Sequence, residues 1–152
     1  MTDVSHEPST IAGTGSVSAT RVAPRIYEAR NERGASVVVG GSELDGTHFT
    51  PGELLKLALI TCAGLSTDRV ISRRLGDDYR VTLWAHGLSD PDSNAYERIG
   101  EEMLLDLSSL SADDRSKLIG IIGRAIDQGC TVKRSVDEQI EVGLVVDGET
   151  VH

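Results

Sequence analysis

Apolar and polar positions divide the chain into stretches with the two-residue period of strands and stretches with the roughly 3.6-residue period of helices. Residues 1–15, rich in Ser, Thr and Gly, follow neither period and read as a flexible lead-in to a single domain over 16–152. Residues 16–30 are extended in character, Asn31-Glu32-Arg33-Gly34 supplies a turn, and Ala35-Ser36-Val37-Val38-Val39 is strand-like, so a hairpin is expected first. After a loop over 40–49 comes a strong helix start. Thr50 can cap, Pro51 fits the first helical position where its missing N–H does no harm, and Glu53 completes a capping box. This helix is expected over 51–75, with a potential break at Gly64. Its Leu54, Leu55, Leu57, Ala58, Leu59, Ile60 and Leu65 cover most of the circumference, as in a central helix covered by a sheet or by another subunit.

Tyr79, Val81, Leu83 and Ala85 then alternate with Arg80, Thr82, Trp84 and His86, the pattern of a strand with one face inward. A polar loop over 89–94 precedes another expected strand at 101–107. Ser111-Ala112-Asp113-Asp114 starts a second helix, with acids in its first turn and Leu118, Ile121, Ile122, Ala125 and Ile126 as the buried stripe, and Gly129 ends it. Residues 139–146 close the chain as a strand with Ile140, Val142, Leu144 and Val146 on one face. The order predicts an α+β fold, with helices against a largely antiparallel sheet.

At 152 residues there is room for one domain with a substantial core. Aromatics are 3% of the chain, so that core must be built from Val, Leu, Ile and Ala. The net charge of −9 argues against a nucleic-acid partner, because phosphate neutralisation needs clustered Lys and Arg. No apolar run reaches the roughly 18 residues of a membrane span, and the first residues lack the basic start and apolar centre of a signal peptide. A soluble, cytoplasmic protein is expected.

The two cysteines are the sharpest chemical feature. Cys62 lies inside the apolar helix and Cys130 directly follows Gly129, sixty-eight residues later, which excludes a CxxC motif or a zinc knuckle. Three readings are open: a two-thiol redox site, a structural disulfide, or one buried cysteine beside an incidental one. A reducing compartment disfavours the disulfide. A thiol attacks as thiolate. Cys62 is past the first turn of its helix and needs a cation from elsewhere, whereas Cys130 sits at a helix C-terminus, where the dipole disfavours negative charge. Cys62 is therefore the better attacking thiol and Cys130 the better resolving one. An arginine is the natural activator, always charged and able to donate to a sulfur and a peroxide oxygen together.

The run Phe49-Thr50-Pro51-Gly52-Glu53-Leu54-Leu55 followed by Cys62, with a later helix ending in Cys130-Thr131-Val132-Lys133-Arg134 before a strand, resembles the OsmC/Ohr family of bacterial hydroperoxide reductases. The resemblance extends from about residue 16 to the C-terminus. It implies an OsmC-like fold of antiparallel sheets packed around a long central helix, in an intertwined homodimer. It further implies a thiol peroxidase of the oxidative-stress response, acting on organic hydroperoxides, with Cys62 as peroxidatic and Cys130 as resolving thiol. A dithiol reductant such as a lipoyl group would regenerate them, without a cofactor or metal. The family's activating arginine maps to Arg30, in Ala29-Arg30-Asn31, with Arg33 as the alternative. Two positions depart from the family pattern. Thr131 replaces the proline after the second cysteine, and Gly52 stands where the family's reductases carry the glutamate that holds the arginine. Glu53 does not substitute, because one residue along a helix rotates a side chain by about 100°. The alternative is a non-catalytic small-molecule-binding or redox-sensing protein on the same fold. His48 or a carboxylate of a second subunit could compensate for Gly52.

Other residues carry weaker signals. His6, His48, His86 and His152 show no metal-binding spacing. His86 is expected to face solvent, Trp84 to pack on a sheet face, and Gly120 and Gly123 to permit close helix packing. Asp113-Asp114 and Glu101-Glu102 read as a helix start and a solvated strand end.

Overall fold

A computed structural model of the protein describes residues 5–152; the first four residues of the expected lead-in lie outside them. The chain forms two compact units, Met1–Leu54 and Leu55–His152.

In the first unit, strands β1 (Val17–Ala23), β2 (Ile26–Asn31) and β3 (Ser36–Gly40) form an antiparallel sheet in the order β1-β2-β3. The expected hairpin is thus the second half of a three-stranded meander. Its β2–β3 turn is the Asn31–Gly34 turn expected, closed by Asn31 Oδ1 accepting from the N–H groups of Arg33 and Ala35. The first turn, at Pro24-Arg25, was not legible, because Arg25 rather than a glycine adopts the left-handed conformation there, at φ 60°.

Helix α1 (Pro51–Leu75) begins as expected. The Thr50 N–H donates to Glu53 Oε2 at 2.8 Å, and the Glu53 N–H donates to Thr50 Oγ1 at 3.3 Å. It runs unbroken through Gly64, whose missing side chain admits Leu83 of the sheet, since a Cβ there would lie 2.7 Å from Leu83 Cδ1. Close helix-to-sheet approach, not a break, explains this glycine. Thr61 and Thr67 return their hydroxyls to carbonyls one turn back, so neither leaves an unmet polar group.

The second unit contains the sheet β4 (Val81–His86), β5 (Arg98–Leu105), β6 (Glu141–Val146) and β7 (Glu149–Val151), in the order β4-β5-β6-β7. β4–β5 and β6–β7 are antiparallel, but β5–β6 is parallel. The connection between those two strands carries helix α2 (Ala112–Gly129) and the short α3 (Thr131–Val136), as a parallel pair needs a long crossover. Neither α3 nor β7 was expected. β7 did leave a signal in Asp147-Gly148, a two-residue hairpin turn with φ of 46° and 77°.

Ser111 caps α2, accepting from the Asp114 N–H at 3.1 Å. Ser111→Ala is expected to cost about 1 kcal/mol, measured by chemical denaturation, because that N–H has no partner inside the helix. The buried stripe of α2 is Leu118, Ile119, Ile122, Gly123 and Ile126, so Ile119 takes the place expected for Ile121. Gly123 lets β7 close on the helix, since a Cβ there would lie 2.6 Å from Val151 Cγ1. Gly120 has no such neighbour. The core joins this stripe to Ala63 and Ile71 of α1, to Met103 and Leu105 of β5 and to Val146 of β6. No helix among the described residues is long and apolar enough to cross a membrane.

Candidate functional site: the Cys62–Cys130 pair

Inside the second unit, Cys62 and Cys130 come together. Ala63, next to Cys62, is buried, and Ser66, one helical turn on, reaches the end of α2. A Cβ on Gly129 would lie 3.6 Å from Ser66 Cβ and Oγ. Because i and i+4 share a helix face, Cys62 is brought to the same end of α2 as Ser66. Cys130 is fully buried in the core cluster, and half-buried Cys62 packs against that cluster. Both thiols are free.

Burial pushes the Cys130 thiol up to about 11. The main-chain N–H of Lys133 works the other way, while a hydrogen bond to Cys62 and the charges of Cys62 and Glu101 add to the rise. The direction agrees with the expectation for Cys130, but the leading cause is burial, not the end of α2. Cys130 is at once the C-cap of α2 and the N-cap of α3, so a second helix start faces the first helix end. The missed helix α3 thus removes the simple dipole argument. A half-exposed thiol beside a buried one can take an oxidant from solvent and pass the oxidation inward as a disulfide.

The structure corrects the reading of Glu101 as a solvated strand end. β5 begins at Arg98, and its inward face carries Ile99, Glu101, Met103 and Leu105. Glu101 is 4% exposed, beside Ala85 on β4 and Leu144 on β6. Its Oε1 has no hydrogen-bond partner among the described residues, and burial raises its carboxyl to about 7, with Lys133 opposing. The signal was there: the period of two through Met103 and Leu105 extends back through Glu101 to Ile99. Glu102, its neighbour, faces outward and pairs with exposed His86 at 3.3 Å, and His86 stacks on half-exposed Trp84.

Arg30 lies in the first unit, half-buried on β2, with Nη2 at 2.6 Å and Nε at 2.8 Å from Glu28 Oε1. Glu28 was overlooked as its partner, although two residues along a strand place both side chains on one face. Arg33 is exposed in the β2–β3 turn. Gly52 is in the first turn of α1, and Glu53 is engaged in the capping box. His48 is held by Gly41 O at 3.0 Å and packs over Gly40.

No family model matches the chain. An uncharacterized protein of Mycobacterium tuberculosis is 44% identical over 126 residues, covering 83% of this chain and 91% of the relative. Among solved structures, an OsmC-like protein from Mycoplasma pneumoniae superposes with a TM-score of 0.62 at 11% identity, over 86% of this chain and 94% of that one. The organic hydroperoxide resistance protein OhrB of Bacillus subtilis gives a TM-score of 0.59 at 15% identity, over 86% of this chain and 96% of that one. At such identities the likeness is one of fold. The chain therefore belongs to one family with the mycobacterial protein, and its α+β fold is that of the OsmC/Ohr proteins.

Proposed function

We propose that the protein is a thiol peroxidase that reduces organic hydroperoxides, with Cys62 as the attacking and Cys130 as the resolving thiol. The observation that carries the reading is the adjacency of a half-exposed free thiol and a buried free thiol. The organic hydroperoxide resistance named for the Bacillus subtilis protein of the same fold agrees with it. In the first step the Cys62 thiolate attacks the outer oxygen of R–O–O–H. The O–O bond breaks, Cys62 becomes a sulfenic acid, and the alkoxide leaves as the alcohol after taking a proton. In the second step the Cys130 sulfur attacks the Cys62 sulfur, forming the disulfide and releasing water. A small dithiol or a lipoylated protein then reduces the disulfide by exchange.

Arg30 is the proposed activator of Cys62. Its ion pair with Glu28 on the same strand supports a reading in which Glu28 is the carboxylate that orients Arg30 where Gly52 cannot. Leu65 of α1 is 81% exposed in the single chain and Leu57 of the same helix 37%, which favours a second copy covering the central helix, as in a homodimer. A cytoplasmic location suits two cysteines that work reduced.

Consumption of cumene hydroperoxide with dihydrolipoamide tests the proposal. Wild type is expected to turn over, Arg30→Ala to lose about 10²-fold or more in kcat/KM, and Glu28→Gln to lose less. Absence of turnover in wild type, starting from two titratable thiols, would overturn the peroxidase and leave a binding or sensing protein on this fold.

A further inference from the structure

The buried carboxyl of Glu101 is unused by the chemistry above. It stands on the inward face of a strand otherwise lined by Ile99, Met103 and Leu105, and an apolar residue there would avoid the cost of burying an unmet polar group. It borders a cavity of about 280 Å³ whose lining includes Ile126 and Lys133, and these two residues bracket Cys130. The Cys130 N–H donates to Ile126 O at 2.9 Å, and the main-chain N–H of Lys133 is close enough to act on the Cys130 thiol. The cavity holds polar groups at its lining, which is what water needs to enter.

We propose that Glu101 is the proton acceptor for the Cys130 thiol in the step that closes the Cys62–Cys130 disulfide. The inference rests on the reading of the two thiols as an attacking and resolving pair. The Cys130 S–H bond breaks, its proton passes by way of water in the bordering cavity to the Glu101 carboxylate, and the sulfur electron pair forms the S–S bond as the leaving group departs from Cys62. With the sulfenic acid the leaving hydroxide departs as water, taking a proton from solvent, and Glu101 afterwards returns its own proton to solvent. A buried thiol held near 11 is almost wholly protonated at neutral pH, so this step needs a base, and a carboxyl poised near 7 is close to the best compromise between being deprotonated and being basic. The groups that share its surroundings are Lys133 of α3, Asp127 of α2 and His152 after β7 in the cavity, and its charge reaches the Cys130 thiol at the α2–α3 junction. The residues paired with it on β4 and β6 are Ala85 and Leu144, and β6 adds Val142 to the cavity; none of the three titrates. Lys133 pairs with Asp127 at 2.5 Å, which limits how far its charge holds Glu101 ionised.

The test avoids peroxide. The Cys62 thiolate, the more exposed of the two, first attacks the disulfide of dithiobis(nitrobenzoate) and releases one nitrothiobenzoate; attack of Cys130 on the resulting mixed disulfide releases the second. The second release, followed by stopped flow from about pH 5 to about pH 10, reads the Cys130 step alone, and Cys130→Ser must abolish it. Wild type is expected to rise through a midpoint near 7 and level off. Glu101→Gln is expected to be at least about tenfold slower at pH 8 and to keep climbing with pH. His152→Gln is expected to retain the wild-type profile, separating the carboxyl from the imidazole in the same cavity. A Glu101→Gln profile that overlays wild type, or a wild-type rate with no midpoint between about 6 and 8, would overturn the proposal. Should that variant fail to fold, the profiles of wild type and His152→Gln decide it. Loss of the peroxidase reading shows separately, as intact second release with no hydroperoxide turnover.

Discussion

Replacing Cys62 by serine is expected to lower hydroperoxide turnover on the order of 10³-fold or more, the scale seen when the nucleophile of a covalent mechanism is removed. A hydroxyl in place of the thiol can neither attack the O–O bond as a soft anion nor form a sulfenic acid. Cys130→Ser should behave differently. Its Cys62 should still consume one equivalent of hydroperoxide and then stop, leaving a sulfenic acid that dimedone traps and mass spectrometry locates. The contrast follows from exposure: Cys62 is half-buried and Cys130 fully buried, so only the first meets an oxidant from solvent. If Cys62→Ser kept the first oxidation and Cys130→Ser lost it, the two roles would be reversed.

The second large effect is on stability. Leu118→Ala is expected to cost about 3 kcal/mol, lowering the melting temperature by roughly 6–12 °C in a thermal scan. Leu118 is fully buried on α2, in the same cluster as Ile122, Ile126, Met103, Val146 and Cys130, so truncation removes contacts and leaves a cavity. Ile121→Ala is the discriminating comparison. The periodic pattern assigned Ile121 to the buried stripe, but it is only partly buried and outside the cluster, and its truncation should cost about 1 kcal/mol or less. Equal losses at the two positions would contradict the face that α2 presents to the core.

Both cases show what a local pattern can resolve. The helical stripe was found, but two of its five members differ, Ile119 and Gly123 standing for Ile121 and Ala125, because Ile119 and Ile121 are chemically identical and only what packs against α2 distinguishes them. The same holds on β5. Beginning the strand at residue 101 left Glu101 at its exposed end, whereas beginning it at Arg98 places the same residue in mid-strand, on the inward face it shares with Ile99, Met103 and Leu105. The pairing of Glu28 with Arg30 is not legible from either residue alone, because it depends on both standing two apart on one face of β2.

What the sequence determined by itself is what short-range chemistry specifies. The Thr50-Pro51-Gly52-Glu53 start of α1, the Ser111 cap and Gly129 end of α2, the Asn31–Gly34 turn and the alternating strands all depend on residues within one or two turns of each other, so their signals are complete in the local sequence. Tertiary structure alone decided that the two thiols meet, that Cys130 is perturbed chiefly by burial, that β5 and β6 run parallel, and that Gly64 and Gly123 are contact points. Each of these depends on which residues distant in the chain pack together, and burial is a property of that packing, not of any single segment.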